Sequence, residues 1–242
     1  MRNQIAVTAT SFSKNHSLRK HLLEQLGSTC DIKFCSIDEN WNFDSFIRFC
    51  KNANFILLGK EKINSEVLSE LKELRAISKY GVGLDNIDFK ALDDFGIQLF
   101  HTPGVNAIHV AEHTLGLILS LTRKIGINSR RLSQGVWTKD GGISLINKKI
   151  GIIGLGNVGI KITEVLKPFS CQVSYFDIIR KPEIEEKLGV TFKPLDSLFK
   201  DSDVISLHTP LDENTRNMVG NRQLNLMKTD SILINTSRVC FH

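Results

Sequence analysis

The 242 residues are 41% hydrophobic and 24% charged, with 17 Gly and 5 Pro, which excludes collagen-like, low-complexity and disordered chains. The net charge of +5 is local: residues 121–150 carry +6 through Arg123, Lys124, Arg130, Arg131, Lys139, Lys148 and Lys149 against Asp140, which leaves −1 elsewhere. A solvated patch of this kind, without interleaved aromatics or a finger motif, argues against a nucleic-acid partner. The longest apolar run, residues 115–121, is too short to span a bilayer, so no membrane role is expected. No signal-peptide pattern opens the chain, and Cys30, Cys35, Cys50, Cys171 and Cys240 are odd in number and lack CxxC spacing. They read as reduced thiols, and the expected location is the cytoplasm.

Short β-branched runs alternate with helical patterns from the start. Strands are expected at residues 5–10, 31–36, 54–59, 75–80 and 97–100, with helices at 17–26, 43–50, 64–71 and 88–94. That alternation predicts βαβ units on a parallel sheet: an α/β fold with a compact first domain over residues 1–101. The Pro103-Gly104 turn signal breaks the rhythm and places the boundary there, opening a second domain over residues 102–242. A long apolar helix is expected at 107–125, followed by a polar loop at 127–146 pinned by Trp137. Strands at 149–153, 173–176, 191–192, 204–207 and 232–235 follow, with a helix at 158–166.

Within that second series stands GLGNVG at residues 154–159, between an apolar strand and a helix. Gly154 permits a tight turn, Gly156 lets backbone approach a pyrophosphate, and Gly159 lets helix and strand pack closely. The helix N-terminus adds free N–H groups and a positive dipole end. Asp177 ends the next strand eighteen residues beyond Gly159, placed to accept from ribose hydroxyls and to repel a 2′-phosphate. The pattern predicts NAD rather than NADP. Arg180 and Lys181 soften that preference without reversing it.

The arrangement resembles the D-isomer-specific 2-hydroxyacid dehydrogenases, in particular their phosphoglycerate dehydrogenase-like branch. The stretches that carry the resemblance are KYGVGLDNID (79–88), TPGVN (102–106), VAEHTLG (110–116), GLGNVG (154–159), SLHTPL (206–211) and INTSR (234–238), in order over nearly the whole chain. The resemblance implies a flavodoxin-like substrate domain and a Rossmann-type doubly wound NAD-binding domain. It implies hydride transfer between NAD and a small 2-hydroxy or 2-oxo acid, and a homodimer joined through the 107–125 helix and its basic loop. Val82 and Gly83 match the loop that holds the substrate carboxylate. Asn157 and Val158 match positions whose backbone meets the pyrophosphate, His208, Thr209 and Pro210 the segment beside adenosine and phosphates, and Thr236 and Ser237 positions near the nicotinamide ribose. Arg238 matches the catalytic arginine, and a guanidinium suits that role by pinning a carboxylate and polarising a carbonyl. Lys60 stands where the phosphoglycerate enzymes offer an arginine for the substrate phosphate, so 3-phosphoglycerate is one expected substrate.

The family's general-base histidine and its glutamate lie downstream of the arginine motif. Here Arg238 is followed by Val-Cys-Phe-His instead of the family's Gly-Gly continuation. The expectation is a truncated Rossmann domain lacking its last strands, with impaired activity. The alternative is a non-catalytic NAD-binding or regulatory module, as in corepressors of this fold, or an inactive product. His109, Glu112 and His113 spell HxxEH, but their apolar flanks and overlap with VAEHTLG argue for a structural or interface role and no metal.

Overall fold

The computed structural model describes residues 2–238, and residues 239–242, where the departure from the family pattern falls, lie outside the described residues. The chain divides into two compact units, Met1–Pro103 and Gly104–His242. In the first, β1 (Asn3–Val7), β2 (Cys30–Phe34), β3 (Phe55–Leu58), β4 (Ala76–Lys79) and β5 (Gln98–Phe100) form a parallel sheet in the order β2-β1-β3-β4-β5. This is the flavodoxin-like order. Helices α1 (Thr10–Lys14), α2 (His16–Leu26), α3 (Phe43–Cys50), α4 (Ser65–Glu70) and α5 (Phe89–Phe95) connect the strands. Thr10, expected at the end of a strand, instead opens α1.

Local chemistry starts and stops these helices. Asn42 accepts from the backbone N–H of Ser45 at 2.8 Å while Ser45 returns a bond to the Asn42 backbone, a reciprocal cap that begins α3. Asn15, Asn64 and Asp88 cap α2, α4 and α5 one way only, each side chain accepting from a backbone N–H three residues on. Gly96 ends α5 at φ +67°, a left-handed conformation that glycine adopts without steric cost.

The second unit contains α6 (Ala107–Thr122), α7 (Ile125–Ser133), β6 (Lys149–Ile153), α8 (Asn157–Leu166), β7 (Gln172–Phe176), α9 (Pro182–Leu188), β8 (Thr191–Phe192), α10 (Leu195–Asp201), β9 (Val204–Leu207), α11 (Asn221–Leu226) and β10 (Ile232–Asn235). Its parallel sheet runs β10-β9-β6-β7-β8, the Rossmann order for five strands. β6 is central, and Ile150, Ile152 and Ile153 are fully buried, each contributing about 1.5–3 kcal/mol relative to exposure. Both faces are covered, which is why KIGII and VISL read as continuous apolar runs.

Two expectations need correction. The helix expected over 107–125 ends at Thr122: Lys124 takes φ +55°, its ammonium paired with Asp140 at 2.6 Å, and Ile143 N–H caps the Thr122 carbonyl at 2.8 Å. A second helix, α7, then occupies part of the expected loop. Trp137 pins nothing, being 74% exposed; Leu145 is the side chain of this stretch that enters the core.

Candidate functional site

The three motif glycines at the end of β6 have three different surroundings. Gly154 has φ +91°, and a Cβ there would sit 2.8 Å from the His208 carbonyl oxygen. Gly159 lies so close beneath the turn that a Cβ would meet the Gly154 carbonyl at 2.2 Å. Gly156 faces open space, with nothing within 4 Å of a Cβ. The protein's own packing therefore demands the first and third glycines but not the second. A ligand brought against the backbone supplies the missing reason, so the residues fit a dinucleotide pyrophosphate. Gly156 also starts α8 without a side-chain cap, which leaves the opening N–H groups at Asn157 and Val158 to an anion.

Asp177 follows β7 and is tied into the turn. One carboxylate oxygen accepts from the Leu155 N–H at 2.9 Å and from Lys181 Nζ at 3.0 Å, and the other from the Ile179 N–H at 3.3 Å. Burial raises its pKa, but the Lys181 ammonium and the two backbone donors outweigh that, and the carboxyl stays below its ordinary value. Arg180 is committed elsewhere, bonded through two nitrogens to Glu185 at 2.9 Å each.

His208 follows β9, its Nε2 2.9 Å from Ser206 Oγ. Burial pushes its pKa down to about 4, so the ring is neutral at pH 7. Thr209, Pro210, Ser237 and Arg238 line one pocket of about 200 Å³ at the carboxyl ends of β9 and β10. Arg238 is exposed and its Nη1 donates to the Ser237 carbonyl at 3.0 Å. Thr236 points away from that pocket's lining, its hydroxyl 2.9 Å from that of Thr114 on α6.

In the first unit, Lys60 is exposed just beyond β3, while Val82 and Gly83 are half-buried after β4. Lys79 is held within the unit, donating to the Gly59 carbonyl and, at 2.8 Å, to Asn86 Oδ1. Glu61 accepts from Thr8 Oγ1 at 2.8 Å and from the Gly59 N–H at 2.9 Å. On α6, His109 and Glu112 are exposed and 3.8 Å apart, and among the described residues no group of three His, Cys, Asp or Glu side chains is placed to hold a metal.

Sequence reasoning read Gly104 only as a turn signal and missed Thr114, Tyr175 and Glu185. Gly104 has φ +75° and lies where a Cβ would press on Asn157 Cγ at 2.7 Å, so the TPGVN turn supports the start of α8. Its Gly after Pro was the available signal. Asn106 Oδ1, in the same turn, is buried without a hydrogen-bond partner among the described residues.

Residues 115–240 match the family model described as D-isomer specific 2-hydroxyacid dehydrogenase, NAD binding domain. A glyoxylate reductase of Thermococcus litoralis is 36% identical over 192 residues, covering 76% of this chain and 58% of that protein. A D-3-phosphoglycerate dehydrogenase of Archaeoglobus fulgidus is 35% identical over 190 residues, covering 78% of this chain and 36% of that protein. The crystal structure of D-lactate dehydrogenase from Aquifex aeolicus, complexed with NAD and lactic acid, superposes with a TM-score of 0.82 at 27% identity, covering 97% of this chain and 69% of that one. The chain spans less than two thirds of the length of the curated relatives it matches first. With its glycine turn, the aspartate that follows β7 and its Rossmann strand order, the chain belongs to the D-isomer-specific 2-hydroxyacid dehydrogenase family, and its second unit carries that family's NAD-binding domain.

Proposed function

We propose that this chain takes part in hydride transfer between NAD and a small D-2-hydroxy or 2-oxo acid. The observation that carries the reading is Gly156, a glycine with no packing reason to be one, at the uncapped start of α8. Gly154, Gly156 and Gly159, with the N–H groups of Asn157 and Val158, hold the pyrophosphate, and Asp177 takes the adenosine ribose. His208, Thr209 and Pro210 flank the adenosine and phosphates, and Thr236 and Ser237 the nicotinamide ribose. NAD, when bound, supplies the hydride acceptor. Arg238 pins the substrate carboxylate through the paired N–H donors of its planar guanidinium while polarising the carbonyl. The substrate side is assigned to the first domain, where the backbone at Val82 and Gly83 takes the carboxylate. Transfer of the hydroxyl proton belongs, by resemblance, to residues downstream of Arg238.

A phosphorylated substrate such as 3-phosphoglycerate has Lys60 as its contact, since Lys79 is engaged by Gly59 and Asn86. The homodimer is supported by exposed apolar side chains on and after α6, among them Leu121, Ile125, Ile127, Leu132 and Trp137. Free thiols at Cys30, Cys35, Cys50 and Cys171 suit the cytoplasm.

The test is sequential titration. NADH added to the chain is expected to give saturable binding, and glyoxylate added next a second saturable change in NADH fluorescence that Arg238→Gln loses. No NADH binding by folded protein contradicts the cofactor assignment, and an unchanged glyoxylate response in Arg238→Gln contradicts that of Arg238.

A further inference from the structure

The ribose-facing carboxylate is a weaker discriminator than its sequence suggests. Of about four acceptor positions on a carboxylate, Asp177 has three filled by Leu155 N–H, Ile179 N–H and Lys181 Nζ. Its charge is paired with an ammonium 3.0 Å away, both side chains largely shielded. Repulsion of a 2′-phosphate by Asp177 alone is correspondingly reduced. Arg180, three residues further on the same loop, is the side chain chemically suited to welcome that phosphate, through a planar fork of N–H donors.

That fork is already filled. The Nε–H and an Nη2–H of Arg180 donate to Glu185 Oε1 and Oε2, each at 2.9 Å. Glu185 is itself anchored from within the sheet: Oε1 accepts from the Tyr175 hydroxyl at 2.8 Å, and Tyr175 is fully buried on β7. The same hydroxyl accepts from the Lys181 N–H at 2.8 Å, fixing the loop that carries Arg180. The Glu185 side chain is 16% exposed against 63% for Arg180, so the carboxylate is the fixed partner and the guanidinium the movable one.

We propose that Glu185 is a specificity-determining residue of the cofactor site, favouring NAD over NADP by occupying the guanidinium fork of Arg180. Its action is indirect: Glu185 positions Arg180 and touches no cofactor atom. The inference rests on the reading that Asp177 faces the adenosine ribose. Glu185→Gln keeps the shape and the acceptor for Tyr175 but removes the charge that holds the fork.

The experiment compares NADH and NADPH dissociation constants by fluorescence titration for four proteins. The unsubstituted chain is expected to favour NADH. Glu185→Gln is expected to bind NADPH about tenfold tighter or more, with NADH affinity within about threefold, the size of a charge-assisted arginine–phosphate contact. Glu185→Gln with Arg180→Ala returns NADPH to its starting affinity, and Arg180→Ala alone changes neither nucleotide. A folded Glu185→Gln protein with unaltered NADPH affinity overturns the proposal, as does one that weakens both nucleotides alike. So does a loss of NADPH affinity in Arg180→Ala alone, because Arg180 would then already serve the phosphate. Failure of the unsubstituted chain to bind NADH sinks the cofactor reading itself, a distinguishable result.

Discussion

The two sheets are built alike, yet their carboxyl ends are finished differently. In the second unit the end of β6 leaves Gly156 facing open space and the start of α8 uncapped. In the first unit the polar groups after β3 and β4 satisfy one another: Lys79 bonds Gly59 and Asn86, and Glu61 bonds Thr8 and Gly59. One end is arranged to receive an anion; the other is arranged to hold its own loops. On the proposed function, the difference explains why a cofactor site announces itself in sequence while a substrate site does not. Backbone recognition requires glycines at fixed spacing, whereas side-chain recognition is spread over loops whose polar residues also serve the fold.

The comparison breaks most severely at Gly159. Gly159→Ala places a methyl 2.2 Å from a backbone carbonyl that no rotamer change relieves. Stability should fall by about 3 kcal/mol or more, the upper end for overpacking. The loss should be confined to the second unit. Trp41, whose Nε1 donates to the Thr8 carbonyl at 3.2 Å, reports on the first unit once the exposed Trp137 is replaced by Phe. Thermal melts followed by Trp41 fluorescence and by circular dichroism should therefore separate. Coincident, unshifted melts would refute the packing argument.

Acid should act on the second unit through His208. Its folded pKa of about 4 lies below the unfolded value of 6.5, so the unfolded chain binds a proton that the folded chain refuses. The His208 contribution is complete above about pH 6.5, is lost as pH falls towards 4, and levels off below; it amounts to roughly 3 kcal/mol. Urea titrations across that range should show the slope, and His208→Gln should flatten it. An identical slope in the variant would assign the acid sensitivity elsewhere.

At the first unit's sheet end, Lys79→Met removes an ammonium from two internal acceptors. Taking that donor from the Gly59 carbonyl and Asn86 Oδ1 should cost about 1–3 kcal/mol in chemical denaturation. Lys60→Ala, at an exposed position, should change stability by less than about 0.5 kcal/mol while weakening any phosphorylated substrate. Equal stability losses for the two lysines would erase the distinction between a holding and a contacting cation.

Much of this was legible in the residues. Buried parallel strands must be apolar runs, so KIGII, VISL and FILL declared themselves, and the strand-turn-helix context made GLGNVG informative. Short helices such as α9 and α11 did not: α4 and α5 are as short but open on the side-chain caps Asn64 and Asp88, which α9 and α11 lack. The break after Thr122 was also hidden: it depends on Asp140 and Ile143, which reach back to Lys124 and Thr122 only in the folded chain. Thr114 and Glu185 escaped for the same reason, since Thr236 lies 122 residues from Thr114 and the Glu185 network closes through a buried tyrosine. Trp137 misled because a large aromatic reads as core, although it lies on the surface.

The central claim is that Gly156 is a glycine for the cofactor and not for the fold. Isothermal titration of NAD into the unsubstituted chain and into Gly156→Ala, each with its thermal midpoint, tests it directly. The account predicts midpoints within about 2 °C of each other and an NAD affinity at least about tenfold weaker in the variant, as expected for losing charge-assisted backbone bonds. Equal NAD affinity in both proteins, or a variant that unfolds, would contradict it.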